Sequence, residues 1–568
     1  MYARSKSGAN YQGRSKQILS NKQTQISSFK SQIMPTDVNV LNMQKGTSQL
    51  LKNMEYLRSG GTFFGIRTRR GTDLIKDITR KVWGAGTFNI SNTNYFVYKE
   101  KVTGDIKYYN PTSAAITSIT TGTTQTQTHF WNFNFPGGSN LYACNTTDGI
   151  TKITNGFVYS TIFATGVDVF GYSNISGRLF AAIGHTVYYS AVQLKDATNT
   201  SNLESFNAST QQFKPSPDDG EGIKAVADNG QITFFFKDTG IWALINANES
   251  TDNWLIPKCN ADQGTRSPKT VKYARYGAKE GFIYLASDKT LRFFNGRVER
   301  NAGTKPTLSG GDSKIISNNF TELLKSIPNS MLAQCNGIYF DRLFILNIAS
   351  NGSNELDICI AIDTEKLDKF GQPYWSYYEN FEWLEYIKVQ NSRLYGFHNQ
   401  GFISELFIKD RYVDEVPSRL SYYSDDSTSG TTKSIAIRWG NYLYPIKVSN
   451  NMVRLYDCFL GWKSEGNWSI NFLIDSFDNG DVVPGYDAGI IVPLKSTAVG
   501  GSYFDFAFFD QALFSTVSGA VTQNSGTEAY GHYFKYGMYS NAINEYATIY
   551  DIQPTYQVMK HSPMSKNI

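Results

Sequence analysis

Little in this chain points to chemistry. Cysteine is scarce, with 5 in 568 residues (Cys144, Cys259, Cys335, Cys359 and Cys458), an odd number with no C-x-x-C spacing. A disulfide framework is therefore not expected in so large a chain, and buried small hydrophobes are the natural reading. Histidine is as scarce and as scattered: His129, His185, His398, His532 and His561. Neither H-E-x-x-H nor a Cys/His zinc spacing occurs, so we expect no metal site, and the histidines read as satisfied core residues. A G-x-S-x-G elbow, a phosphate-binding glycine loop and a Cys/His nucleophile pair are missing too. The adjacent acids Asp425 and Asp426 lie in a polar loop. Neighbours in sequence rarely bracket a scissile bond, which needs carboxyls roughly 5–9.5 Å apart across a substrate. No catalytic residue and no cofactor are expected, and the chain does not read as an enzyme.

Long hydrophobic runs are missing as well: no apolar stretch reaches the ~18 residues of a membrane span. The N-terminus lacks the apolar core of a secretory signal. Acidic residues are absent from Met1 to Thr36, whereas six basic ones fall there: Arg4, Lys6, Arg14, Lys16, Lys22 and Lys30. The other 48 basic residues face all 49 acidic ones, so the rest of the chain is close to neutral. The bland reading of this arm is a solvated tail. The sharper one, which we favour, is an arm that orders on a protein partner.

What the chain has in quantity is aromatic and turn-forming residues: 37 Phe, 36 Tyr, 9 Trp and 48 Gly. That mixture favours strands and turns over helices. Strand-like segments of mostly four to eight residues recur from about position 62, among them Tyr95–Glu100, Gly177–Ile183, Thr186–Val192, Gln231–Asp238, Gly240–Asn246, Gly281–Ser287 and Ile358–Thr364. Lys237–Gly240 and His398–Gly401 read as hairpin turns between paired runs. Asn319–Ile327 is the clearest helix, with Asn319 as its candidate N-cap.

Many hairpins with hardly a crossover helix mean antiparallel sheets. The strands are too many for one sandwich, so radial repetition in a β-propeller or a pair of sandwiches remains open from composition. A polar stretch at Ser418–Thr431 precedes a second strand-rich region, and Pro554 in the last strand pattern suits an edge or a bulge. The acidic runs Ser216–Gly222 and Ser424–Gly430 lack the twelve-residue spacing of a calcium loop and read as solvated turns. Ser476–Asp481 reads the same way, with Asn479-Gly480 as its hairpin dipeptide. Of the paired tyrosines Tyr108-Tyr109, Tyr188-Tyr189, Tyr377-Tyr378 and Tyr422-Tyr423, one of each pair should pack into a core, because strand neighbours face opposite sides.

The stretch Leu50–Ile75, "LLKNMEYLRSGGTFFGIRTRRGTDLI", resembles the start of the tail nozzle proteins of short-tailed bacteriophages, also called tail tubular, tail-hub or packaged-DNA stabilisation proteins. Asn53-Met54 and Arg69-Arg70-Gly71-Thr72 stand where that family has an Asn-Met pair and an R-x-R-P-G-T-type turn, with Arg70 in the place of Pro. Four further stretches match in order: Val167–Val192, Asp218–Leu244, Ile256–Phe294 and Leu332–Glu379, the last with an aspartate after a strand and the pair Trp375-Ser376. Together they span about residues 45–410.

The resemblance implies an all-β chain. Its β-propeller would have six to seven blades, with a C-terminal β-rich region and the basic extended N-terminal arm. We draw the boundaries at 1–36 for the arm, 37–412 for the propeller, 413–539 for an accessory β-rich region and 540–568 for a closing strand and tail. The implied role is structural: a homo-oligomeric ring, expected to be a hexamer, in the virion tail, assembled in the host cytoplasm. The ring would retain the packaged genome and conduct it during ejection. Implied partners are an adaptor or portal-side ring protein, tail fibres, spikes or a needle, and double-stranded DNA in transient, non-specific contact. The arm is expected to dock on the neighbouring ring.

Arg58, Arg67, Arg69 and Arg70 form the densest basic cluster after the arm. They either face the channel and touch phosphates without sequence readout, or they pair with acids at the ring interface or lock the first turn. We prefer the second, since a conduit that gripped DNA would slow it. The alternative function is a carbohydrate-binding or glycan-degrading tail spike or receptor-binding β protein, motivated by the abundant Tyr and Trp. A secreted propeller scaffold is a weaker third reading, against which the missing signal peptide counts.

Overall fold

The computed structural model describes residues 51–56 and 65–420 with their side chains, apart from 91–92, 135–137, 194–199, 217–218, 297–311, 369, 390–392 and 410, together with Ile435; elsewhere it describes only the backbone of certain strands. The chain divides into two compact units, one made of 1–70, 410–413 and 432–568 and the other of 71–409 and 414–431. The sequence boundary for the propeller had been drawn at 37–412.

The second unit is a seven-bladed β-propeller. Each blade is a short antiparallel sheet whose first strand lies innermost. Those first strands are Val82–Ile90, His129–Phe135, Val169–Ser173, Ala225–Asp228, Lys272–Tyr276, Asn336–Phe340 and Trp383–Val389. Neighbouring inner strands touch around most of the circle, and that of blade 7 packs against that of blade 1. Aromatic hairpins suit this architecture because alternate side chains of a blade face the two flanking blades. Accordingly the cores lie between blades. Phe234 and Phe236 of blade 4 meet Phe282, Tyr284 and Phe294 of blade 5, and Phe96 and Tyr98 of blade 1 meet Ile387, Tyr395 and Phe397 of blade 7.

The circle is closed by chain from its beginning. Thr72–Asp77 is the fourth strand of blade 7, antiparallel to Phe402–Leu406. On its other side Asp414 pairs with Thr72 in parallel. Close approach at the seams leaves no room for side chains at some inner positions. A Cβ on Gly84 would stand 2.0 Å from the Thr128 carbonyl oxygen, so only glycine fits there.

The hairpin turns stand where the sequence puts them. The Lys237 amide donates to the Gly240 carbonyl (3.0 Å), and the Gly401 amide to that of His398 (2.9 Å). Gly401 has φ +79°, a left-handed conformation suited to glycine. The helix is shorter than expected. It spans Thr321–Lys325, and Phe320 rather than Asn319 precedes it. The reason is packing: Phe320 is fully buried against Trp375, with ring centroids 5.0 Å apart, which sets the entry of the turn.

Tyr109, Tyr189 and Tyr378 are the buried members of their pairs, whereas Tyr422-Tyr423 lie outside the described residues, as do the side chains at Ser424–Gly430 and Ser476–Asp481. Cys144, Cys259, Cys335 and Cys359 are buried and none is in a disulfide. Among the described residues no helix is long and apolar enough to cross a membrane. In the first unit the hairpin Met54–Ser59/Thr62–Thr68 is ordered by backbone pairing, and Tyr546–Val558 pairs with both Val453–Glu465 and Thr62–Thr68.

Candidate functional site

Two places gather charge in a built arrangement. The first is the basic turn of the first unit. Asn53 sits at φ +56°, a left-handed position that asparagine tolerates. Its carbonyl accepts from the Arg69 amide (2.9 Å), and its side-chain oxygen accepts from Arg69 Nε (3.2 Å). Arg69 is only 1% exposed and also donates to the Arg70 carbonyl. Glu55 takes the other two cations: Arg67 Nη2 lies 3.0 Å from its Oε2 and Arg70 Nε 3.3 Å from its Oε1. Burial pushes the Glu55 carboxyl up, but the charges of Arg70 and Arg67 outweigh it and hold the group below the usual range. The turn thus brings together the two family-like motifs, Asn53-Met54 and Arg69-Arg70, around one buried carboxylate. The Arg58 side chain, Arg4, Lys6, Arg14 and Lys16, and the side chains of Lys22 and Lys30 lie outside the described residues.

The second place is one end of the propeller axis. Inner strands all run the same way, so their first residues converge on the same mouth. Lys269, in the turn Pro268–Thr270 before the inner strand of blade 5, contacts the Glu385 carboxylate of blade 7 and lies 3.4 Å from the Trp83 carbonyl oxygen of blade 1. This side chain thus reaches from blade 5 to blades 7 and 1 at the axial end. Lys272, the first residue of the same inner strand, and His129, the first residue of that of blade 2, stand at the same level. Burial brings Lys272 down to about 8. Burial, with the charges of Lys269 and Lys272, brings His129 down to about 3. Among the described residues neither side chain has a hydrogen-bond or ion-pair partner, and both residues are part-buried.

Sequence reading missed this second place. His129 had been read as a satisfied core residue, and it is instead a neutral imidazole without a partner. His398 fits that reading: it is buried, its Nδ1 accepts from the Gln400 amide at 3.0 Å, and its ring stacks on Phe402. The one available signal was position, a His or Lys opening a strand after a polar loop. Ser216–Gly222 is solvated as expected, with Asp219 and Gly220 exposed, but it also makes a contact that the sequence does not announce. Asp219 there clasps Lys237, a side chain with no exposure, through both oxygens at 2.7 Å. The buried lysine also lies 4.6 Å from the Trp242 ring centroid.

A surface cavity of about 280 Å³ at the edge of blades 3 and 4 is lined by Tyr172, Ser176, Arg178, Gln193, Asn248 and Glu249 among others. Arg178 is committed to the Ser190 carbonyl (2.6 Å) and to the Tyr189 and Trp254 rings. The cavity offers hydrogen bonds without a paired base and nucleophile. Among the described residues no group of three His, Cys, Asp or Glu side chains is placed to hold a metal.

No protein-family profile and no curated protein matches the sequence. Among solved structures the chain is similar to Raptor of Chaetomium thermophilum, at 12% identity and a TM-score of 0.37, over 59% of this chain and 29% of that one. It is similar also to a chain of a mitotic checkpoint complex, at 8% identity and a TM-score of 0.33, over 60% of this chain and 94% of that one.

Proposed function

We propose that the chain is a structural protein of a short-tailed bacteriophage tail, the subunit of a hexameric nozzle ring that retains the packaged genome and conducts it at ejection. The observation that carries this reading is the placement of the family-like stretches. Val167–Val192 spans the first three strands of blade 3, Asp218–Leu244 the strands of blade 4, and Leu332–Glu379 those of blade 6. Ile256–Phe294 covers the inner two of blade 5 and the start of the third. One stretch therefore falls on each of four consecutive blades, in the family's order, and the fifth leads into the closing strand. The near neutrality of residues 37–568 suits a wall that DNA slides past without many phosphate contacts.

In this reading the propeller's flanks meet identical copies by heterologous contacts that close into a ring. The DNA passes through the ring's own opening rather than through the axis of a propeller. The ring meets an adaptor on the capsid side and fibres, spikes or a needle on the other, and the basic arm docks on the neighbouring ring. Electron microscopy of the purified full-length chain and of virions tests it: rings in solution and the protein at the tail tip are expected. A strictly monomeric protein missing from the tail overturns the reading. A chain lacking residues 1–33 should fold yet fail to join tails, and its normal incorporation would refute the role of the arm. Shortening of host polysaccharide by the purified protein would instead favour the glycan-degrading spike.

A further inference from the structure

The cavity between blades 3 and 4 is lined by one cation and one anion that do not pair with each other. On the blade 3 side stands the turn after Val169–Ser173, closed by the Gly177 amide on the Ser173 carbonyl (2.9 Å). Gln193 is docked on that turn, its amide donating to the Gly177 carbonyl (2.7 Å). On the blade 4 side stands the loop 247–249, held by the Glu249 amide on the Asn246 carbonyl (2.9 Å) and by Trp254 Nε1 on the Glu249 carbonyl (3.3 Å). The Trp254 ring packs on Tyr189 of blade 3, centroids 5.0 Å apart, so one side chain ties the two walls together. Arg178 lies over the same two rings and gives Nη1 to the Ser190 carbonyl. Its Nε and Nη2 make no hydrogen bond among the described residues and stay open to solvent. The exposed side chains of Asn248 and Glu249 have no hydrogen bond or ion pair among the described residues either. The other described acids nearby do not answer Arg178. Asp228 accepts from Asn174 (3.3 Å) and Thr233 (2.9 Å), and Asp252, in the turn Thr251–Asn253, does not line the cavity. Lys195 and Asp196 lie outside the described residues.

The charges decide what such a space takes. A simple anion meets the Glu249 carboxylate, and a simple cation meets the Arg178 guanidinium, so neither is favoured. Arg178 calls for acceptors, Glu249 for donors, and Asn248 for both. A hydroxyl group supplies donor and acceptor at once, and neighbouring hydroxyls on a ring supply them in several directions. The cavity measures about 280 Å³. That lies at the small end of the ~300–1,000 Å³ of ligand sites and matches one ring rather than a chain of them. Val192, 40% exposed on the rim, offers an apolar surface to the C–H face of such a ring. Behind the blade 3 wall the hydroxyls of Tyr172 and Ser176 are buried without a partner, as in a wall that faces water or a polar ligand rather than a packed seam. We propose that this cavity binds a single neutral sugar ring, with Arg178 donating to ring hydroxyl oxygens and Asn248 and Glu249 accepting hydroxyl protons. It binds without cleaving, having no base paired with a nucleophile. The site is independent of the ring-forming role, because it is built from two neighbouring blades of one chain.

Ligand-observed NMR of the full-length protein with D-glucose, D-galactose and D-mannose in turn tests the proposal, with acetate, ethylammonium and L-alanine as the ionic and zwitterionic comparisons. Saturable one-to-one binding of at least one hexose is expected, and weaker binding of all three comparison compounds. Arg178→Gln should weaken the hexose about tenfold or more, the loss of a charged donor. Glu249→Ala should weaken it severalfold. Arg275→Gln, which removes an exposed arginine paired with Glu280 on blade 5, should leave it unchanged. No saturable binding of any hexose by the unmodified chain overturns the proposal. So does tighter binding of L-alanine than of every hexose, which would mark a zwitterion site, and so does equal weakening by Arg178→Gln and Arg275→Gln. If Arg178→Gln does not fold, Glu249→Ala decides, because its side chain is exposed and unpaired among the described residues: hexose binding unchanged by Glu249→Ala sinks the site, and weakened binding supports it.

Discussion

The seam between blades 4 and 5 and the closing strand of blade 7 solve the same problem by different means. In blade 4 the strands Thr233–Phe236 and Ile241–Leu244 are buried at every position. Phe234 is edge-on to Phe282 and Phe294 at 5.5 and 5.2 Å. In the closing strand Thr72–Asp77 only the first residue is buried. Leu74 and Ile75 pack on the adjoining cores, and the rest of what fastens it is polar: the ladder to Phe402–Leu406, the Leu74 amide donating to Glu415 (3.3 Å), and a forked ion pair from Arg419 to Asp77 at 2.9 Å. The same guanidinium reaches the Gln400 carbonyl at 2.6 Å. Seams between blades that follow each other in the chain form from local hairpins that can collapse on apolar contact. The closing strand comes from the far end of the unit, and polar bonds set its register without adding another sticky hydrophobic edge.

The largest expected break of that comparison is Phe234→Ala. Removing a fully buried ring that touches two others leaves a cavity in the wedge, for a loss of about 3–5 kcal/mol. Urea unfolding of the full chain measures it. The matching truncation in the closing strand, Leu74→Ala, should cost less than half as much, since Leu74 is only partly buried. Equal losses would erase the distinction.

Next comes the buried cation under the aromatic seam. Asp219→Ala strips Lys237 of its carboxylate and should cost about 2 kcal/mol, below the full penalty of an orphaned buried charge because Asp219 is partly solvated and the Ser216 carbonyl remains. Adding Lys237→Met to Asp219→Ala should recover most of the loss, and a double variant no better than the single one would show that packing rather than charge is at stake. The pH dependence follows from the sign of the shift. Burial raises the Asp219 carboxyl, but its hydrogen bonds from Lys237 and the Glu221 amide, with the Lys237 charge, hold it lower than usual. Its contribution is therefore present above the ordinary carboxylate pKa and is lost as the pH falls through the lower folded value. In Asp219→Ala that acid-side decline should be shallower.

Arg419→Ala should cost about 1 kcal/mol, as the pair with Asp77 is a third exposed on both sides. Its effect belongs at the closure. Hydrogen exchange should quicken at Thr72–Asp77 and Phe402–Leu406 and stay unchanged in Thr233–Phe236. Exchange that rises equally in blade 4 would mean the circle opens as one body and the polar clasp has no local role.

The hairpins of the blades were legible in the sequence because their signals are local: alternating aromatics and short turns such as Lys237–Gly240. The closure was not, because Leu74 finds Glu415 at a separation of 341 residues, and nothing within Thr72–Asp77 says which edge it completes. The basic turn was half legible. The density of arginines marked the place, but the buried position of Arg69 depends on Asn53 adopting a left-handed backbone that no pattern announces. The axial cluster was invisible for a different reason. Trp83, Lys269 and Glu385 stand far apart in the chain, on three different blades, and meet only after the circle has closed, so no spacing rule joins them.

Salt offers the smallest and cleanest separation of the two seams. Screening shortens to ~3 Å at 1 M ionic strength from ~8 Å at physiological salt, and it acts on exposed pairs far more than on buried ones. The cost of Arg419→Ala should therefore shrink by a few tenths of a kcal/mol between 0.15 and 1 M sodium chloride, a change of roughly the size of the screened part of a surface pair. The cost of Asp219→Ala should hold steady over the same range, because the Lys237 ammonium has no exposure and counter-ions do not reach it. If both costs fell together, the Lys237 end would be as wet as the clasp, and the contrast between an apolar seam with a buried ion beneath it and a solvated closing strand would fail at its most sensitive point.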